Sequence, residues 1–321
     1  MNPDLTPQAV EDIFLLEVAP DLDLQATPGS DPPRAVFVAG QPGAGKSQVL
    51  DKLSADCLRI DGDRLREYHP AYTAVPDAQM PMVTGPAAGT WLELSLFHAA
   101  QRGYDVAWEA TLRSPEKVIE SLREFCDQGY DINVAIMAVP REASLLSTVE
   151  RYLDQREENG TGRPVTVEQH DEPYNKAMAS IEAIQHAIPQ LHLTVVDRDA
   201  HQLYPGRYPT ISDALDAGRA LTPAARAQLN QDAGEQYQRL KRHAGADVSA
   251  IAQRSLHEAA PDTVPAPPAQ QVSAEQAAQA MAEIKARLAA TDQQPTTQSQ
   301  TNQLPDRQQQ QPKRDGPTIT P

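Results

Sequence analysis

Cysteine is almost missing: the 321 residues hold only Cys57 and Cys126. No paired metal-ligand spacing surrounds either, which argues against a disulfide scaffold or a zinc site and fits a reducing compartment. Basic charge is short as well, 28 Lys and Arg against 44 Asp and Glu, so 28 − 44 gives −16. That balance disfavours a general affinity for a nucleic-acid backbone or an anionic membrane, and any phosphate has to be held locally. No apolar stretch approaches the roughly 18 residues of a membrane span. The beginning carries Asp4, Glu11 and Asp12 where a signal segment would carry basic residues and then an apolar core. The expectation is a soluble, unprocessed, cytoplasmic protein.

What is present is an alternation. Short apolar runs at Ala35–Ala39, Cys57–Ile60, Val106–Trp108, Ile132–Val139 and Leu191–Val196 read as buried parallel strands. Helix-length segments separate them, the pattern of a doubly wound α/β sheet. A lead-in helix is expected from about Thr6 to Val18, with Thr6 as its cap, and a linker near Thr27–Pro33. Past Arg219 strand signals stop. Thr222-Pro223 opens a charged helix through Arg242, and a further helix is expected over Ser273–Ala290 after the Pro-rich Ala260–Pro268 stretch. The Gln- and Pro-rich end from Thr291 to Pro321 has too few apolar groups to offset the entropy of ordering, so disorder is expected there. The divisions are therefore 1–219, 220–290 and 291–321.

The strongest local signal is Gly40-Gln41-Pro42-Gly43-Ala44-Gly45-Lys46-Ser47, a full G-x-x-x-x-G-K-S match directly after the first strand. Glycines let such a loop curl so that backbone N–H groups face inward, and the next helix presents its positive end. Lys46 supplies a cation for the β and γ phosphates, and Ser47 a hydroxyl for a magnesium ion. The loop itself does not separate ATP from GTP.

Asp61-Gly62-Asp63 follows the second strand, at the carboxyl edge where open parallel sheets bind ligands, so Asp63 is the candidate general base. By pattern alone it could equally cap the Arg64–Tyr68 segment. Glu109-Ala110-Thr111 ends the third strand and could grip a substrate or merely turn the chain. Glu93, alone on a preceding helix, has the ordinary alternative of a solvated face. Arg151, Arg156 and Arg163 lie on and beyond a helix stopped near Asn159-Gly160. They could neutralise transferred phosphate charge, or serve solubility and i,i+4 pairing.

Taken in order, the eight-residue loop, Ile60-Asp61-Gly62-Asp63 with His69-Pro70, Glu109-Ala110-Thr111-Leu112-Arg113, Gly129-Tyr130 and Met137-Ala138-Val139-Pro140 resemble the zeta-toxin family. Ser147 to Tyr152, Arg163-Pro164-Val165-Thr166 and His170-Asp171 continue the series, which covers roughly residues 6 to 215. The resemblance implies a P-loop NTPase-type kinase using ATP and magnesium. It assigns Lys46 and Ser47 to ATP phosphates and metal, Arg151 and Arg163 to ATP phosphates, and Asp63 to activation of a sugar 3′-hydroxyl. Glu93, Glu109, Thr111 and Arg113 match positions that contact UDP-N-acetylglucosamine in that family, and a small helical antitoxin is the implied partner. Ala110 stands where the family often has Gly, and the Val83–Thr90 segment matches poorly. The competing expectations are a P-loop kinase with another small-molecule or nucleic-acid acceptor, and a nucleotide-binding interaction protein without catalysis.

Overall fold

Thr6 does cap the first helix: its Oγ1 accepts the Ala9 N–H at 3.2 Å and opens α1 (Pro7–Ile13). The computed structural model describes residues 5–74, 80–160, 162–242 and 246–267. The lead-in helix does not stop at Val18, because one π-helical turn (Phe14–Val18) carries it into α2 (Ala19–Gln25). Phe14, Val18 and Leu22 fall at four-residue spacing and are buried together, which gives the extra turns their reason to form.

The sheet follows from the apolar runs. β1 (Arg34–Ala39) lies between β3 (Val106–Ala110) and β4 (Asp131–Met137), with β2 (Leu58–Ile60) outside β3 and β5 (His192–Val196) outside β4. All these pairings are parallel. A sixth strand, β6 (Gln202–Tyr204), pairs antiparallel with β5 and was not anticipated, since three residues are too short for a periodicity to register.

Along β1, Ala35, Phe37 and Ala39 enter one core cluster while Val36 and Val38 enter another on the opposite face. This double burial requires a continuous apolar run in place of alternation. The larger cluster includes α4 (Met80–Arg102), α5 (Pro115–Asp127), α7 (Val167–Ala187) and α8 (Ile211–Arg219), while α3 (Lys46–Leu53) covers the other face. Trp108 stacks between Phe37 and Phe125 at 5.1 Å from each ring. Truncating so buried an indole costs about 3–5 kcal/mol. It also sits one residue before Glu109, so this packing fixes the sheet edge beneath the site.

α6 (Arg141–Asn159) ends where Gly160 adopts the left-handed conformation, as the Asn-Gly signal predicts. α7 starts with a capping box between Thr166 and Gln169. The Thr27–Pro33 segment is held more firmly than a linker: Asp105 Oδ1 accepts the Ser30 and Arg34 N–H groups at 3.0 and 2.7 Å. Its Oδ2 accepts from Arg34 Nε at 3.1 Å and from the Ser30 hydroxyl.

α9 (Pro223–Arg242) is opened by Thr222, whose Oγ1 accepts the Ala225 N–H at 3.1 Å. Together with α10 (Ala246–Ala259) it shares an apolar cluster with α6 through Leu229, Ala233, Leu256 and Leu153. Arg239 ties α9 to Asp154 and Glu157 of α6, each at 2.7 Å. The described residues belong to one unit. The helix expected over Ser273–Ala290 and the tail 291–321 lie outside the described residues. Among the described residues no helix is long and apolar enough to cross a membrane.

Candidate active site

β1 delivers its loop to a defined place because its pairing with β3 continues past the strand. Ala39 stands opposite Ala110, and the Gly40 N–H donates to the Ala110 carbonyl at 3.3 Å. The loop therefore begins beside Glu109-Ala110-Thr111. Gly43 is required by contact: a Cβ there would lie 2.0 Å from the Ser144 carbonyl oxygen, and its φ is +73°. Gly45, at φ of +89°, turns the chain into α3.

Two side chains clamp this loop from behind. Gln41, 2 % exposed, donates through Nε2 to the Val139 carbonyl at 3.2 Å and to Ser144 Oγ at 3.1 Å. Arg198, just past β5, donates through Nη2 to the carbonyls of Gly43 at 2.7 Å and Ala143 at 3.1 Å. Lys46 folds over the front and donates to the Gln41 carbonyl at 3.2 Å. Burial pushes its ammonium below the ordinary lysine range and Arg151 adds to that, while Glu109 and Asp63 act in the opposite sense.

An open cavity of about 350 Å³ lies in front of the loop. Pro42, Lys46, Asp63, Glu109, Thr111, Arg113, Arg151 and Arg163 line it, so most of the expected residues converge, from elements far apart in sequence. Five cations (Lys46, Arg66, Arg113, Arg151 and Arg163) face three carboxylates (Asp61, Asp63 and Glu109) there. In a chain of net charge −16, that local excess of positive charge suits an anionic ligand.

Asp63 is not acting as a helix cap. It precedes the 3₁₀ turn Arg64–Tyr68, but Asp61 Oδ1, 2.9 Å from the Asp63 N–H, holds the turn instead. The freed Asp63 carboxylate accepts from Arg66 Nε at 3.2 Å and from Arg163 Nη1 at 3.4 Å. Burial alone would raise its pKa. Arg163 first and Arg66 second outweigh burial and hold it below the usual carboxylate range. Asp63 is thus ionised at neutral pH, as a proton acceptor must be.

Glu109 pairs with Arg59 at 3.1 Å. Arg113 pairs with Glu172 at 3.0 Å and donates to the Gln169 carbonyl at 3.1 Å. Glu93 is placed differently: it lies outside the cavity lining and pairs with Lys117 on α5 at 2.6 Å. The face that α4 does turn to the cavity is Gly85, Ala88, Gly89 and Leu92. Arg156 also lies outside, over the Tyr152 ring. Ser47 is exposed on the first turn of α3, next to Lys46. It lies outside the cavity lining, and among the described residues the cavity carboxylates Asp61, Asp63 and Glu109 do not come together as a metal-holding cluster.

Sequence reasoning missed Arg66, the small-residue face of α4 and the clamp residue Arg198. Arg66 was within reach, three positions from Asp63 and so on the same side of a helical turn. Arg198 carried no local signal.

The family model for "Zeta toxin" matches residues 21–208. The chain is 23 % identical over 189 residues to "Toxin zeta" of Enterococcus hirae, covering 56 % of this chain. The chain spans just under two thirds, 66 %, of that relative's length. It is 26 % identical over 196 residues to "Toxin PezT" of Streptococcus pneumoniae serotype 4, covering 58 % of this chain and 76 % of the relative. Among solved structures, one from the PezAT chromosomal toxin–antitoxin system of Streptococcus pneumoniae matches with a TM-score of 0.61 at 21 % identity, over 76 % of this chain and 98 % of that one. The AvrRxo1-ORF1:-ORF2 structure with ATP matches with a TM-score of 0.50 at 14 % identity, over 80 % and 96 %. With the family model covering more than half of its residues, the chain belongs to the zeta toxin family.

Proposed function

We propose that the protein is an ATP-dependent kinase that phosphorylates the 3′-hydroxyl of UDP-N-acetylglucosamine, and that it acts as a toxin by withdrawing this sugar nucleotide from wall synthesis. The observation that carries the reading is the convergence of Lys46, Asp63, Arg151 and Arg163 on one cavity in front of the glycine loop. Phosphoryl transfer asks a protein for positioning and charge stabilisation, and those four residues supply both.

Lys46, Arg151 and Arg163 neutralise the phosphate oxygens and hold them in line with the acceptor. Asp63 accepts the proton of the attacking hydroxyl, which Glu109, Thr111 and Arg113 orient. Arg163 now occupies Asp63, so phosphates that draw Arg163 away would release the base when the acceptor is needed. The Ser47 hydroxyl would hold magnesium, which when bound would supply charge neutralisation of the phosphates. The catalytic domain is taken as 1–219, with α9 and α10 as the start of an extension beyond it. Relatives described as parts of toxin–antitoxin systems support a small antitoxin as the protein partner.

One observation favours a second reading, a kinase of the same chemistry with a different acceptor: Glu93 pairs with Lys117 away from the cavity. Incubating the protein with ATP, magnesium and UDP-N-acetylglucosamine, beside a panel of other hydroxyl acceptors, separates the two by mass spectrometry. Gain of one phosphoryl group on UDP-N-acetylglucosamine supports the first reading. ATP consumption with another acceptor modified replaces it with the second.

A further inference from the structure

His170 is fully buried, yet it does not touch the cavity, and nothing in the proposed chemistry uses it. Its two ring nitrogens are both engaged. Nδ1 lies 2.9 Å from Asp171 Oδ1, and Nε2 lies 2.8 Å from Ser144 Oγ. Asp171 is in turn gripped by Arg141 through two hydrogen bonds, at 2.8 and 2.7 Å. On the other side, Ser144 Oγ receives the Gln41 amide N–H at 3.1 Å.

The donors and acceptors in this series have one consistent direction. An ionised Asp171 can only accept, so Nδ1 carries the ring proton and Nε2 is the acceptor. Burial holds the ring below the ordinary histidine range, although Asp171 opposes it, which keeps it in that neutral form. The Ser144 hydroxyl then donates to Nε2 and accepts from Gln41, whose Nε2 must be a donor because it also meets the Val139 carbonyl. Arg141 and Asp171, both half-buried, and the buried His170, Ser144 and Gln41 thus form a series that runs from the start of α6 across to α7, back to the first turn of α6 and on to the second residue of the glycine loop. Gly43 rests against the same turn, with room for no Cβ beside the Ser144 carbonyl.

We propose that His170 is a positioning residue for the phosphate loop, acting through Ser144 on Gln41 to hold the loop in its nucleotide-ready curl. This rests on the nucleotide reading of the loop but not on the identity of the acceptor. Removing the ring acceptor leaves the Ser144 hydroxyl free to rotate to the carbonyls of Pro140 or Arg141, which it already approaches at 3.1 and 3.0 Å. Gln41 then loses an oriented partner. Buried polar series of this kind act as a unit, so their members couple non-additively.

The test is calorimetric binding of MgADP to the full chain, with the acceptor KM measured alongside. Ser144→Ala and His170→Leu should each weaken MgADP about tenfold, and the double variant should be no weaker than the poorer single. His170→Gln, whose amide oxygen can accept from Ser144, should restore most of the affinity, and the acceptor KM should stay within about twofold throughout. If His170→Leu does not fold by circular dichroism, the same non-additivity between Ser144→Ala and Gln41→Leu carries the test. Wild-type affinity in the folded variants, additive losses, or no rescue by Gln would overturn the relay. A wild-type chain that binds no MgADP would instead refute the nucleotide reading, and the relay's role with it.

Discussion

Arg163 Nη1 reaches Asp63 Oδ1 at 3.4 Å across 100 positions of sequence, joining the approach to α7 to the segment after β2 over the mouth of one cavity. The pairing makes one residue both a phosphate ligand in the proposed reaction and a regulator of the proposed base.

Removing Arg163 therefore has a signed effect on pH dependence. As the proposed base Asp63 has to be ionised, and its pKa lies below the usual carboxylate range because Arg163 and Arg66 outweigh burial. The proposed activity should accordingly persist to low pH and be lost as pH falls through that lowered value. In Arg163→Ala the acid limb of kcat/KM should move to higher pH, and kcat should drop about 10²-fold as a phosphate-neutralising cation is lost. A drop in rate with the acid limb unmoved would separate Arg163 from Asp63.

Gly89 offers a route to the acceptor without touching the nucleotide. It lines the cavity on α4, and a Cβ there would meet nothing within 4 Å. Gly89→Leu should fold with stability unchanged or raised by about 0.5–1 kcal/mol, since a helical glycine is replaced. It should raise the acceptor KM at least tenfold and leave MgADP affinity as it was. Equal losses for both ligands would place the acceptor elsewhere.

Asp105 is a stability prediction remote from catalysis. Its carboxylate, only 8 % exposed, receives the Ser30 and Arg34 donors that pin the segment before β1. Burial would raise its pKa, but the Ser30 and Arg34 hydrogen bonds outweigh this and lower it. Its contribution is thus complete above the ordinary carboxylate pKa of about 3.9 and lost as pH falls through the lowered folded value. Asp105→Asn should cost about 1–3 kcal/mol in urea unfolding at pH 7, and the gap to wild type should narrow in acid. A pH-independent gap would assign the loss to packing.

What the sequence made legible follows from where the physics is local. The run Ala35–Ala39, the glycine loop and the cap-and-stop residues Thr6, Gly160 and Thr222 each carry their structure within a few positions, and each was read directly. The placement of Glu93 depends on the rotational phase of α4. Gly85, Ala88, Gly89 and Leu92 follow the helical spacing i, i+3, i+4, i+7, and Glu93 is one step further round, where Lys117 meets it. Arg198, Ser144 and His170 reach the loop only through tertiary packing, so no window of sequence around Gln41 contains them. Asp63 stood open between cap and base because both roles favour the same residue at a strand-to-helix junction. Asp61 takes the turn, and the Asp63 carboxylate pairs with Arg66 and Arg163 in place of capping it.

The most direct test of the account is the Asp63→Asn variant, with MgATP affinity and single-turnover transfer to UDP-N-acetylglucosamine measured on the same sample. A carboxylate that only accepts a proton should leave nucleotide affinity within a few-fold, while transfer falls by about 10²–10⁴. Transfer at the wild-type rate in Asp63→Asn, with nucleotide bound, would contradict the assignment of the base and the mechanism built on it.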